Sequence, residues 1–241
     1  NTDFLTISNN VFGPTSGGAA AISFFSGHGT SNDIVITGNK IGTSLSEAVN
    51  FSPTAGIVFG NGVGGADSNI RIGGPNPSDG NTIPSASGAG AGSGINLGNA
   101  INNILIQNNS IGLKSNDVCN GSTAQTGIFM ATVTGGDVLN NKIACFGRGV
   151  DVAGTSSNVN IGNASGGGNV FGNQTVANTL HIRVSDSSSN VNISGNMIGV
   201  KADGVTLNAG ATNTGISFFS TGNGNSVGGP TTGHRNIIAN N

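Results

Sequence analysis

The sequence predicts an all-β chain folded as a parallel β-helix of about eight coils, each of three short strands. Three observations predict it. The stretch ILIQNNSIG, Ile104 to Gly112, returns in edited form along the whole chain. Apolar residues alternate with polar ones in short runs rich in Ile and Val, and period-two alternation of β-branched residues specifies strands rather than helices. The composition suits a narrow stack: there are 43 Gly to serve turns, and charged residues make up 7% of 241, against roughly 25% in an ordinary globular domain.

The first strand of each coil, A, ends at Ile7, Ile36, Ile72, Ile106, Val138, Ile161, Ile193 and Val227. Five copies keep a compact frame: FLTISNNVFG ending at Gly13, DIVITGNKIG at Gly42, ILIQNNSIG at Gly112, DVLNNKIA at Ala144 and NVNISGNMIG at Gly199. Three have a stretched middle, GGPNPSDG between Ile72 and Asn81, GNASGGG between Ile161 and Asn169, and GGPTTGHR between Val227 and Asn236. Successive A ends lie 23 to 36 residues apart. Insertions therefore fall in the turns while the strands keep their pattern, as expected when each repeat is one supersecondary unit.

The second strand, B, follows a recurring Asn: Asn10, Asn39, Asn81, Asn109, Asn141, Asn169, Asn196 and Asn236. Stacking places these side chains in one line. Asn tolerates left-handed backbone at such a corner, and its amide donates to the next coil while accepting from the previous one. The sequence thus predicts an Asn ladder of the kind that stabilises stacked strands. The third strand, C, reads AISFF at 21–25, GIVF at 56–59, GINL at 94–97, GIFM at 127–130, GVDV at 149–152, TLHI at 179–182 and GISFF at 215–219. Eight coils at the ~4.8 Å strand spacing make a rod on the order of 35–40 Å long.

Residues 1–241 read as a single β-helix domain that begins inside an A strand and ends inside a B strand, with no polar capping coil at either end. Solenoids need such caps when isolated. The expectation is a segment of a longer solenoid or a unit that assembles end to end, and the initial Asn in place of Met implies processing or excision. A net charge of -2 and a pI of 5.8 supply no basic stripe, so nucleic acid is not an expected partner. No apolar run reaches the roughly 20 residues of a membrane span.

The B–C connections vary most, being long after Gly42, Gly112 and Gly199 and short after Ala144. Loops on a rigid scaffold are where solenoids bind partners, and the alternative is that they are solvated spacers. Cys119 lies in the long connection of the fourth coil and Cys145 opens the short one of the fifth. They share an edge on adjacent coils, so a disulfide worth roughly 3–3.5 kcal/mol is geometrically reasonable and fits an exported protein. Two buried thiols are the alternative.

GNKIG, NNSIG and GNMIG alternating with IGGPNPSDGNTI and VGGPTTGHRNIIANN resemble the right-handed parallel β-helix repeats of pectate-lyase-like proteins. The likeness extends to long bacterial surface proteins built from IGG…RN(V/I)I and GNxIG units and covers nearly the whole chain. It implies a right-handed, single-stranded β-helix and leaves function open, because the same coil hosts lyases, glycosidases, tailspikes, adhesins and filaments.

Asn1-Thr2-Asp3 and Gly27-His28-Gly29 look like motifs of polygalacturonase-type glycosidases. The Asp-Asp pair is missing between them, and AISFFSGHG aligns with GISFFSTGNG, so His28 reads as turn filler. The ten acidic residues are spread about one per coil, which does not favour a calcium-dependent lyase site. One polar cluster can be assembled, Arg148, Asp151, His181 and Arg183. Facing outward it could grip a sugar acid; otherwise it is a solvated face.

The functional expectation is a non-enzymatic extracellular or cell-surface β-solenoid, a stalk, sheath, filament unit or adhesin. It would use no cofactor or metal, and its contacts would be end-to-end self-association or a cell-surface polysaccharide. The alternative is a polysaccharide lyase or glycoside hydrolase acting on acidic polysaccharide. The 11 Phe, with no Trp or Tyr, read mainly as core rather than as sugar-stacking rings. Ice binding ranks third, since Thr132, Thr134, Thr212 and Thr214 do not recur in every coil.

Overall fold

The computed structural model describes residues 2–13, 20–25, 29–47, 55–60, 66–83, 92–119, 126–172, 180–201, 203–207 and 213–239. They form a parallel β-solenoid. The B face is an eight-stranded sheet that runs from Val11–Phe12 through Lys40–Ile41, Thr82–Ile83, Ser110–Ile111, Lys142–Ala144, Val170–Gly172 and Met197–Ile198 to Ile237–Ile238. Each coil contributes one B strand, so the eight B strands match the eightfold Asn register.

The A and C faces join in a fifteen-stranded sheet. They join because Ser93–Gln107 and Thr126–Leu139 each run from C into A as one strand, with a register shift between Leu97 and Ala100. The sequence predicts separate short strands there. Elsewhere C and A remain distinct, as in Arg148–Val152 followed by Ser157–Ile161. Two single-turn 3-10 segments, Pro77–Asp79 and Thr232–His234, lie inside the stretched A–B connections. Among the described residues no helix is long and apolar enough to cross a membrane.

Alternation puts one side of every strand into a core made of columns. On A, Ile36, Ile72, Ile106, Val138, Ile161 and Ile193 stack in register and are buried. Ile41, Ile83, Ile111, Ile143, Phe171 and Ile198 do so on B, and Ile57, Ile95, Ile128, Val150 and Ile182 on C. Each fully buried side chain of this size stabilises by about 1.5–3 kcal/mol. Few inward positions per coil therefore suffice, which is why a 35% apolar chain can fold this way.

Phe59, Phe146 and Phe171 are core residues, and Phe24 stacks on Phe59 with ring centroids 4.5 Å apart. Phe4, Phe218 and Phe219, in contrast, are exposed on the first and last coils.

The B–C corner is tight enough to demand glycine at Gly127 and Gly149. A Cβ on Gly127 would lie 2.6 Å from the Gly149 carbonyl oxygen, and one on Gly149 would lie 2.7 Å from the Phe171 ring. His181 occupies the next position of this column, between the pairs Arg148–Leu180 and Val150–Ile182.

Candidate functional site

The ladder Asn side chains are joined from end to end. Nδ2 of Asn39, Asn81, Asn109, Asn141, Asn169 and Asn196 donates to Oδ1 of the Asn one coil later at 2.9–3.0 Å, and Asn10 does so at 3.3 Å. The backbone N–H of each donates to that same Oδ1. The second Nδ2 hydrogen goes back to an A-strand carbonyl of the preceding coil, as from Asn109 to Ile72 at 2.9 Å. Asn39 through Asn196 are buried, so every amide atom has its partners within protein.

One expectation is corrected here. Left-handed backbone falls not on the ladder residues but, in the five compact coils, on the residue before, at Asn9 (φ 58°), Gly38 (φ 64°), Asn108 (φ 57°), Asn140 (φ 56°) and Gly195 (φ 73°), whereas Gly80 and Arg235 in the stretched connections both have φ -65°. The turn is made one step earlier, which leaves the ladder Asn free to point its amide inward.

Cys119 and Cys145 form a disulfide with Cα atoms 5.8 Å apart. Leu113 pairs antiparallel with Cys119 and packs with Ala144 and Cys145 in a small second core. The same loop is held by ion pairs: Lys142 reaches Asp117 at 2.7 Å, and the Ser115 N–H donates to Glu47, which pairs with Lys40 at 2.8 Å. Burial alone would raise the Glu47 pKa, but the hydrogen bonds from Lys40 and Ser115 overcome it and hold the carboxyl below its usual range.

The four-residue polar cluster is only partly assembled. Asp151 and Arg183 are register partners on the C face, with Arg183 Nε 3.1 Å from the carboxylate and Arg148 3.5 Å from it. The Asp151 side chain is 3% exposed, so it is not presented to solvent. Its burial raises the pKa, and the two guanidiniums offset that only in part. His181 does not join them. It is fully buried with its ring edge-on to Phe171, centroids 6.5 Å apart. At this corner consecutive residues both face the interior, so counting by two misplaces His181.

Of the glycosidase-like fragments, Asn1, Gly27 and His28 lie outside the described residues, and Asp3 accepts from Asn32 at 3.0 Å. Thr132 and Thr134 neighbour Ala100 and Asn102 in register rather than other threonines, and Thr212 lies outside the described residues.

Two further polar columns were not anticipated. Asp137, Asn160, Asn192 and Ser226 are register partners on the outer A face, linked at 2.8, 3.1 and 2.6 Å. They floor a groove of about 600 Å³ walled by Asn163, Ala164, Gly229, Pro230 and His234. At the C–A corner Asp33, Asn69 and Asn103 form a second chain of amide contacts, each at positive φ. The recurrence of Asp or Asn one residue before an A-strand Ile was the available signal. Among the described residues no group of three or more His, Cys, Asp or Glu is placed to hold a metal. Comparison with protein-family models, curated proteins and solved structures found no match.

Proposed function

We propose that this chain is a structural β-solenoid of the extracellular or cell-surface kind, a stalk, sheath or filament unit or an adhesin body, rather than an enzyme. The observation that carries the reading is the use made of its ten acidic residues. Each is engaged in a contact that holds the solenoid together. Asp3, Asp33, Glu47, Asp67, Asp117, Asp137, Asp151 and Asp186 bond across coils. Asp79 and Asp203 tie their own loops, the latter with its pKa lowered to about 2 by Thr206 and Val205. Acid–base chemistry on a polysaccharide needs a carboxylate or base free to act on substrate, and here eight are bonded to neighbouring coils, Asp137 on the groove floor among them, and two to their own loops. The disulfide supports an oxidising compartment, and the repeat motifs support kinship with right-handed pectate-lyase-like solenoids.

Incubation with uronic-acid polymers tests the reading. The expected result is no release of unsaturated or reducing ends; release by the purified chain, abolished in an Asp137→Asn or Asp151→Asn variant, overturns it. Binding to the same polymers by wild type and Arg183→Ala is expected to be equal, because the Arg183 charge is already held by Asp151.

A further inference from the structure

We propose that the outer B face of the third to fifth coils is a binding site for an uncharged sugar, a short unit of a neutral glycan. The inference rests on the structural reading above and supplies the ligand to which an adhesin body of this kind would hold.

Outward residues of the B strands stand in register as the column Lys40, Thr82, Ser110 and Lys142. A trough of about 420 Å³ lies over the last three, within the ~300–1,000 Å³ of small-ligand clefts. One wall is the A–B corner, with Pro77, Gly80, Asn108 and Asn140; the other is the B–C hairpin, with Ser115 and Asp117. Described coils lie on either side of it along the axis, so the trough belongs to the flank of the solenoid.

Both walls are tied down in advance. Asn108 Nδ2 donates to the Gly74 and Pro75 carbonyls at 2.7 and 3.1 Å, and Asp79 accepts from the Asn76 N–H and side-chain amide. Across the trough the hairpin is fixed by the Cys119–Cys145 disulfide and by the 2.6 Å bond from the Ser115 N–H to Glu47. Little ordering is left for binding to cost.

The column is set apart by hydroxyls that the fold does not use. On the A face polar register neighbours bond one another, as Asn160 does with Asp137. Thr82 and Ser110 are half-buried register partners, yet neither hydroxyl has a hydrogen-bond partner among the described residues, and neither has the Asn140 amide. Beside them Lys142 holds both oxygens of Asp117 at 3.0 and 2.7 Å, the two side chains being 42% and 35% exposed. The site therefore sets donors and acceptors side by side with little net charge. Adjacent hydroxyls of a sugar, each able to donate and accept, match that arrangement, and Pro77 offers CH surface to the ring.

Other occupants fit worse. A bound peptide strand needs an unpaired sheet edge, and Ser110–Ile111 is paired on both sides, to Thr82–Ile83 and Lys142–Ala144. A uronate or phosphate would meet a lysine already neutralised by Asp117, whose carboxylate repels it.

Amide-resolved NMR of the 241-residue chain tests this, with maltose, cellobiose, lactose and N,N′-diacetylchitobiose as neutral probes and digalacturonate as the charged control. At least one neutral disaccharide is expected to shift the Thr82, Ser110 and Asn140 amides saturably, with a Kd on the order of 1 mM. Digalacturonate is expected to leave them in place. Thr82→Val with Ser110→Ala strips the floor of hydroxyls without touching the core, and is expected to weaken binding roughly tenfold or more at an unchanged urea midpoint. Absence of saturable shifts with every neutral probe overturns the site, and so does full affinity in the double variant. Digalacturonate binding as tight as the neutral sugars overturns the choice of an uncharged ligand. If the double variant does not fold, Ser110→Ala alone must weaken the same shifts, and unchanged affinity counts against the site. These shifts and the release of sugar ends from uronic-acid polymers are separate measurements, so the site and the structural reading fail independently.

Discussion

Replacing Asn109 by Ala tests whether the column carries stability or merely occupies a turn. Asn109 is 1% exposed. Its Oδ1 accepts from Asn81 N–H at 3.0 Å and Asn81 Nδ2 at 2.9 Å, and its Nδ2 donates to Ile72 O, Gln107 O and Asn141 Oδ1. Alanine leaves the buried Asn81 N–H without an acceptor and removes the side-chain donor from the Ile72 carbonyl. A buried polar group stranded in this way costs about 1–3 kcal/mol, so two cost about 2–6 kcal/mol. That is a large share of the roughly 5–15 kcal/mol that separates a folded domain from its unfolded chain.

Two comparisons isolate the effect. Asn10→Ala, in the first coil, loses a 3.3 Å link and an exposed contact to Ser8, and is expected to cost no more than about 1 kcal/mol. Asn140→Gly changes the left-handed position (φ 56°) beside a ladder rung, where glycine is conformationally at ease, and is expected to be similarly mild. Urea unfolding followed by circular dichroism gives the three values, provided the slope with denaturant is unchanged. Equal, small losses at Asn109 and Asn10 would refute the ladder as a source of stability. A loss at Asn140 as large as at Asn109 would assign the effect to the turn.

Two further outcomes follow from the loop and the buried acid. Reduction of Cys119–Cys145, or its replacement by two serines, releases a cross-link spanning 26 residues and is expected to lower stability by about 3.5 kcal/mol in the chain-entropy model; an unchanged melting temperature in reductant contradicts this. Asp151 has a raised pKa in the folded state because burial outweighs Arg183 and Arg148, with Asp186 adding to the rise. The folded state then holds the proton more tightly than the unfolded chain. Its contribution is present below the ordinary carboxylate pKa and is lost as pH rises through that value to the folded one. The urea midpoint of wild type is expected to fall more steeply across this window than that of Asp151→Asn, and identical slopes refute the assignment.

The fold was legible because a solenoid converts one dimension of space into sequence period. Ile36, Ile72 and Ile106 are neighbours in one column and also the same letter of successive repeats. The eight Asn were readable for the same reason, down to the direction of donation. What failed was local geometry within a coil. The continuous strands Ser93–Gln107 and Thr126–Leu139 were missed because Asn103 and Gly135 turn the chain at positive φ without interrupting its pairing. His181 was misplaced because alternation by two holds along a strand and lapses at a corner, where His181 and Ile182 are both buried.

The same register explains why a catalytic site was hard to find in the sequence. Parallel strands put equivalent residues about 4.8 Å apart at Cα, so Asp, Asn and Ser in one column reach each other directly. Asp137 with Asn160, and Asn192 with Ser226, satisfy one another this way. A polar residue placed on a strand of such a stack is drawn into coil-to-coil bonding, and a free acid or base there has to escape its own neighbours. The B–C connections are less constrained by register. Yet here Lys40–Glu47, Asp117–Lys142 and Cys119–Cys145 bind those loops to the body as well. Strand faces and the described parts of these loops are thus committed alike to bonds between coils, and the polar residues so engaged serve to hold one coil to the next.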